Sequence, residues 1–372
     1  MAKKVLVTGG AGFIGSFLVD ALVRRGHKVS VFDNLETQVH LSGKLPDYFN
    51  KKAKFIKGDV RKIDDLKKAI KDTEIIFHFA AAVGIGQSQY EIKKYVETNI
   101  GGTANLLEIL VNSKNKVKKL ILAASMSEYG EGEYRCPSCG VLQPELREIS
   151  QLKRKDWELH CPLCKKVLEP VGTRESTKLS VNSIYAITKK TQEEMVLNIG
   201  KTYGIPAVAL RFFNVYGPRQ SLSNPYTGVM AIFLSRIKNN KTPIIYEDAK
   251  QSRDFISVHD IVRANILAME KKEADYQIFN VGSGKAITVL EIAERLIAAT
   301  KKSMRPEVTH KFRKGDIRHC FADIVKIKKS LAFQPKVNLE EGIKELVDWS
   351  GSVEAKDFFA QATEKLKDKN LI

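Results

Sequence analysis

A chain of 372 residues with 43% hydrophobic and 28% charged side chains is too apolar for a disordered protein and long enough to bury the cores of two ordinary domains. No apolar run approaches the roughly 18 residues of a membrane span, and residues 1–7 pass straight into an apolar strand, so neither a membrane partner nor export is expected and the cytoplasm is. The net charge of +18 sits on lysines spread along the whole chain without interleaved aromatics, the pattern of a solvated surface, so no nucleic-acid partner is expected.

In chain order, Lys4–Thr8 reads as a buried strand, followed by a glycine-rich turn and an amphipathic stretch over 13–25. Further short β-type runs at 27–32, 54–58, 74–80 and 118–124 alternate with helical patterns such as 64–71. That alternation predicts parallel βαβ units with right-handed crossovers, and ligands at the carboxyl ends of the strands. Residues of about 131–172 break the rhythm and hold four of the five cysteines, which marks an inserted module. After about 221, helical runs at 289–299 and 343–349 mix with extended pieces at 242–246 and 276–281. The expected fold class is therefore α/β: a Rossmann-type doubly wound sheet from 1–210 plus about 250–282, and a smaller α+β substrate domain from 211–249 plus 283–350. A zinc-ribbon-like insertion and a C-terminal helix at 351–372 complete it.

The first turn carries Gly9, Gly12 and Gly15 in a G-x-x-G-x-x-G pattern between strand and helix. These glycines allow a tight turn, a close approach of backbone to a diphosphate, and close packing of helix on strand. The open N–H groups of the helix start, at Phe13 and Ile14, suit the same anion. Asp33 ends the second strand, where a carboxylate can bind ribose hydroxyls and repel a 2′-phosphate; NAD is thereby preferred to NADP. Further cofactor contacts are expected from Asn34, from Asp59 and Val60 after the third strand, from Phe79, Ala80 and Ala81 after the fourth, and from Asn99. His78 is expected to be a packing residue.

Tyr185 and Lys189 are four residues apart at the start of a helical run, which puts both on one face. A lysine cation there stabilises a phenolate, so a phenol of ordinary pKa near 10 can act as a base at neutral pH. Ser125 follows the fifth strand. Together with the glycine turn, Asp33 and Asp59, this set resembles the extended short-chain dehydrogenase/reductase family. The runs His78-Phe79-Ala80-Ala81, Asn99 in Glu97–Thr103, 211–219, Arg253-Asp254-Phe255 and 279–282 resemble its nucleotide-sugar epimerase/dehydratase branch, over about residues 3–350. The resemblance implies Tyr185 as base, Lys189 as its modulator and ribose contact, and Ser125 as hydrogen-bond partner of the reacting sugar hydroxyl. It implies substrate contacts at Ser127, Asn214, Arg219, Arg253, Arg313 and Asp316, with guanidinium forks on a nucleotide diphosphate.

Dehydratases of that branch resemble one another in bearing acidic residues directly after the catalytic Ser/Thr. Here those positions are Met126 and Ser127, which argues for a 4-epimerase working through a transient 4-keto sugar; Glu128, one place along, is the residue on which a 4,6-dehydratase alternative stands. The runs 82–88 and 220–228 resemble members acting on dTDP-L-rhamnose, with UDP-glucose and UDP-glucuronate as alternatives. Cys136-Pro137-Ser138-Cys139 and Cys161-Pro162-Leu163-Cys164 form paired knuckles, whose four thiolates suit a closed structural zinc site; His160 is expected to stand aside and Cys320 to be a core thiol. Family resemblance and the apolar stretches 90–110 and 184–199 imply a homodimer.

Overall fold

The computed structural model describes all 372 residues. Seven strands form one parallel sheet: β1 (Lys4–Thr8), β2 (Lys28–Asp33), β3 (Lys54–Lys57), β4 (Ile75–His78), β5 (Lys119–Ser125), β6 (Ala207–Phe212) and β7 (Ile278–Val281). Their order across the sheet is β7-β6-β5-β4-β1-β2-β3. The chain thus winds outward one way through β2 and β3 and the other way through β4 to β7. The reversal falls between β1 and β4, where Thr8 lies level with His78, and a crevice at the strand ends is the geometric consequence.

Alternate residues of each strand serve opposite faces. Val5, Val7, Phe77, Ile121 and Val208 join a core of 30 buried residues with α1 (Phe13–Arg24) and, further along the chain, the helix Val258–Glu270. Leu6, Ile76, Leu120 and Leu122 join a core of 15 beneath α2 (Ile63–Ile70), α3 (Gly102–Asn112) and α4 (Ile184–Thr202). Between β4 and α3 the helix widens into one π turn at Val96–Gly101 around Asn99. Such turns recur where a helix has been adapted to a site.

A third core of 17 residues, including Tyr216, Phe233, Leu234, Ile292, Leu296 and Leu346, builds a smaller lobe around the helices Val229–Lys238, Val289–Thr300 and Leu339–Ser350. The expectation that all of 283–350 lies in this lobe needs correcting. Ile327, Leu331 and Phe333 belong to the first core, because the chain returns to the sheet edge, where the Lys326 ammonium donates to the Ile278 carbonyl at 2.8 Å. The insertion is a three-stranded antiparallel sheet of Tyr134–Cys136, Gly140–Leu142 and Glu169–Pro170. It has its own small core of Tyr134, Cys136, Leu159, Cys161 and Leu168.

Candidate active site

At the reversal point a cavity of about 410 Å³ opens, lined from both lobes. Its floor is the glycine turn. Gly9 has φ +69°, and a β-carbon there would meet the Ala80 amide at 2.8 Å; one on Gly15 would lie 2.4 Å from the Gly9 carbonyl oxygen. No side chain caps α1 and no acidic residue stands in its first turn. Its N–H groups and partial positive charge therefore face the cavity, as a diphosphate requires. Asp33 is anchored by accepting from the amides of Ala11 (3.0 Å) and Leu35 (2.9 Å). Gly9, Gly12, Phe13, Ile14, Gly15, Asp33, Asn34, Val60, Phe79, Ala80 and Ala81 all line this cavity.

Asp59 and Asn99 stand just behind its wall. Asp59 takes a two-pronged hydrogen bond from Arg61 (3.0 and 2.6 Å) and one from Asn34 (3.2 Å), and the Arg61 contact holds its carboxyl down to about 2. Asn99 is fully buried. Its side chain accepts from the Ala82 amide at 2.8 Å and donates to Thr188 Oγ1 at 2.9 Å, so it ties the loop after β4 to α4.

Ser125, Tyr185 and Lys189 converge on the same cavity. Ser125 caps a 3-10 turn at Met126–Tyr129: its hydroxyl oxygen accepts from the Ser127 amide (3.2 Å) and Ser127 hydroxyl (2.9 Å), which leaves its own proton free. Tyr185 opens α4, whose N-cap is Ser183, and its amide donates to Ser88 Oγ at 3.0 Å. Burial pushes the phenol up to about 12, with the Ser125 hydroxyl acting in the opposite direction. Burial also pulls the Lys189 ammonium down to about 8, against the pull of Glu128 and Glu193. A cationic ring stacked in this site would lower the phenol, since positive charge favours the phenolate.

Glu128 does not reach the cavity. Its Oε1 accepts from the Ser125 amide at 2.9 Å and its Oε2 has no hydrogen-bond partner, among buried groups that include Glu193 and Arg211. Burial and then the neighbouring Glu193 raise its carboxyl to about 8. Arg211 clasps Glu193 (2.9 and 2.5 Å) and bonds Tyr129 Oη (2.8 Å), whose own proton goes to Asn280 (2.6 Å). These residues brace the turn after β5 from behind.

Of the six expected substrate contacts, Asn214 lines the cavity. Ser127 is turned onto Ser125. Arg219 pairs with Asp20 at 2.8 Å and lies over the rings of Phe17 and Tyr48. Arg253 donates to the carbonyls of Ser252, Ile317 and Arg318. Arg313 bonds Asp316 at 2.8 Å and stacks on Tyr246 at 4.9 Å, with the pair outside the cavity wall. Gln38, Gln87, Asn224 and Tyr226 also line it; the last three fall within the runs 82–88 and 220–228, while Gln38 belongs to no motif. Gln38 bonds Gln87 at 2.9 Å and Asn224 at 3.3 Å, so the wall they form is assembled from three distant segments.

In the insertion the four sulfurs of Cys136, Cys139, Cys161 and Cys164 lie within 4.8 Å of one another, with Cys136 and Cys164 3.4 Å apart. Sulfurs at the corners of a zinc tetrahedron are roughly 3.8 Å apart for bonds of about 2.3 Å. The Ser138 amide aimed at Cys136 favours its thiolate. His160 instead bonds Asp156 at 3.0 Å, and Cys320 is a buried thiol pushed up to about 12 by burial.

Comparison with known proteins agrees with this geometry. The model of the NAD dependent epimerase/dehydratase family matches residues 5–147, and that of GDP-mannose 4,6 dehydratase matches 167–346. The gap between them falls within the cysteine insertion. The dTDP-L-rhamnose 4-epimerase of Burkholderia thailandensis is 34% identical over 350 residues, 93% of this chain and 94% of that protein. The crystal structure of Thermotoga maritima UDP-glucose 4-epimerase with UDP-glucose matches at TM-score 0.74 and 32% identity, over 93% of this chain and 98% of that one. The Thermus thermophilus UDP-glucose 4-epimerase in complex with NAD matches at 0.73 and 30%, over 94% and 100%. Fold, site and likeness over nearly the whole length agree: the chain belongs to the NAD-dependent epimerase/dehydratase family.

Proposed function

We propose that this protein is a nucleotide-sugar 4-epimerase, and that its substrate is dTDP-L-rhamnose. The observation that carries the reaction type is the disposition of acids around Ser125. Tyr185 and Ser125 face the cavity, while Met126 and Ser127 cannot act as acids and Glu128 is locked behind the turn, so nothing beside Ser125 is available to expel a hydroxyl as water. NAD, when bound, accepts a hydride from the sugar carbon and returns it. The glycine turn and the open start of α1 would hold its diphosphate, Asp33 its ribose, and Lys189 the second ribose. Tyr185 takes the proton of the 4-hydroxyl, Ser125 holds that oxygen, and the 4-keto sugar turns over before Tyr185 gives the proton back. The oxidation and reduction cancel. The choice of sugar is supported by the likeness to the Burkholderia epimerase.

The same reading includes zinc held by Cys136, Cys139, Cys161 and Cys164, a homodimer and a cytoplasmic setting. For zinc the support is the four-sulfur geometry. For the dimer it is the groove between α3 and α4, lined by Leu107, Val111, Met195, Ile199 and Tyr203. For the cytoplasm it is that none of the five cysteines is joined in a disulfide.

NMR analysis of purified protein with dTDP-L-rhamnose, UDP-glucose and UDP-glucuronate tests the reaction and the sugar together. Epimerisation of dTDP-L-rhamnose at C4 is expected, with no lasting absorbance change at 340 nm. Steady release of reduced cofactor, or loss of water from the sugar, would overturn the epimerase reading; turnover of a UDP-sugar alone would overturn only the substrate. Sedimentation as a monomer would remove the dimer.

A further inference from the structure

Behind Lys189 lies a chain of buried polar groups that the proton transfer itself does not use. The Lys189 ammonium donates to Gln192 Oε1 at 3.0 Å, and Gln192 Nε2 faces Thr103 Oγ1 at 2.6 Å. Thr103 Oγ1 also lies 2.6 Å from the Asn99 carbonyl and 3.0 Å from His78 Nε2. His78 Nδ1 is 2.8 Å from Thr8 Oγ1, which accepts the amides of Phe79 (3.1 Å) and Ala80 (3.2 Å). Thr8, Thr103 and Gln192 are wholly buried, and His78 and Lys189 very nearly so.

Counting hydrogens leaves one arrangement. The Asn99 carbonyl can only accept, so it takes the single proton of Thr103. Thr103 Oγ1 must then accept from both of its other neighbours, which makes His78 the Nε2–H tautomer and turns the Gln192 NH₂ toward Thr103. Flipping that amide would set two acceptors against each other across 2.6 Å between two wholly buried side chains. The one group left for Lys189 is the Gln192 oxygen. Burial keeps His78 neutral, pushed down to about 3, so the orientation holds across the working pH range.

We propose that Gln192 is a positioning residue for Lys189, its amide fixed from the sheet by His78 through Thr103, so that the ammonium stays charged and directed at Tyr185. The inference rests on Tyr185 and Lys189 acting as a pair and is independent of which sugar is bound. The other ionisable groups around Lys189 are Glu128 on the turn after β5, Glu193 on α4, which Arg211 of β6 clasps, and the neutral His78 of β4. Gln192 is a neutral acceptor set among these, able to stabilise the cation without cancelling its charge.

The test compares wild type, Gln192→Leu, Gln192→Glu and Thr103→Val, each loaded with NAD. Phenolate ionisation of Tyr185 is read without sugar, by ultraviolet difference titration against the matching Tyr185→Phe protein, and the pH profile of kcat is read on whichever sugar nucleotide is turned over. In Gln192→Leu the Tyr185 titration and the acid limb of kcat should both move up by about one pH unit, because the weakened cation no longer favours the phenolate. KM and retained NAD should change less than twofold. Thr103→Val should shift in the same direction by less. Gln192→Glu keeps an acceptor for Lys189 but loses the donor to Thr103 Oγ1 and offsets the ammonium's charge, so its Tyr185 titration should also move up. Unmoved titrations in Gln192→Leu and Thr103→Val overturn the proposal even if the rate falls, since a merely structural defect predicts that pattern. Should Gln192→Leu not fold, Thr103→Val and Gln192→Glu decide it alone. Absence of turnover on every sugar, with Tyr185 titrating as described, would count against the epimerase reading and not against this one.

Discussion

At the scale of single residues, the phenol proposed as the base is not yet basic. Burial, with Glu128 adding to it, holds the Tyr185 phenol up to about 12, and burial pulls Lys189 down to about 8; in the proposed mechanism the pair therefore needs the positive charge that the cofactor would bring. Replacing Tyr185 by Phe removes the proton acceptor and leaves the packing. Turnover should fall by about 10²- to 10⁴-fold, while NAD content and melting temperature stay at wild-type levels; a fully active Tyr185→Phe protein would refute the role. The residues of this pair were legible in the sequence because they obey local rules. A strand, a glycine turn and a helix follow one another without interruption, and four-residue spacing on a helix dictates a shared face. Arg219 and Arg253 obey no such rule. Their partners, Asp20 and the carbonyls of 317 and 318, are supplied by segments far away in the chain. Gln192 was invisible for the same reason: its meaning comes from Thr103 and His78 on two other elements.

At the scale of elements, the cysteine insertion is more than a loop staple. Its Arg147 is buried, bonds Glu247 twice at 2.9 Å and reaches the Asp316 carbonyl at 3.0 Å. The module thereby holds the segment that carries Arg313 and Asp316. If the four thiolates hold zinc as proposed, Cys136→Ser combined with Cys139→Ser should abolish that binding, reduce the melting temperature, and raise KM for the nucleotide sugar more than it lowers kcat. Metal loss with unchanged kinetics would show the module to be separate from the cleft. A second device on the same element responds to acid. Hydrogen bonds from His319 and then Arg318 hold the Glu158 carboxyl down to about 2, below the value near 4.3 of an unfolded glutamate. A depressed pKa stabilises the folded state above the unfolded value, and that stability is lost as pH falls toward 2. Glu158→Gln should therefore melt lower than wild type at neutral pH, and the gap between the two should close below about pH 4. Sequence patterning marked the boundaries of this insertion because its cysteines interrupt the βαβ rhythm. It held no clue to the docking, since Arg147 and Glu247 stand a hundred positions apart.

At the scale of the whole molecule, one arginine joins the parts. Arg318 has no solvent exposure. Its guanidinium bonds Glu247 at 2.9 Å and Asp248 at 2.6 and 3.0 Å in the smaller lobe, and Glu158 at 2.5 Å in the insertion. Its amide bonds Glu131 at 2.8 Å, just past the turn at Met126–Tyr129. Three carboxylates around one guanidinium are tolerable only while the cation is there. Arg147 still serves Glu247 when Arg318 is removed, and His319 still reaches Glu158 at 3.4 Å, but Asp248 keeps no other side-chain partner. Arg318→Met should therefore cost about 1–3 kcal/mol, less than for a fully buried pair because Asp248 and Glu158 keep partial access to water. If the loss comes from stranded charge rather than from a hole in the packing, adding Asp248→Asn must return part of it, because the double variant buries one anion fewer. Denaturant unfolding of wild type, both single variants and the double variant measures that coupling. A double variant no more stable than Arg318→Met would mean that the arginine acts through its bulk, and that the joint between insertion and lobe is held by shape instead of charge.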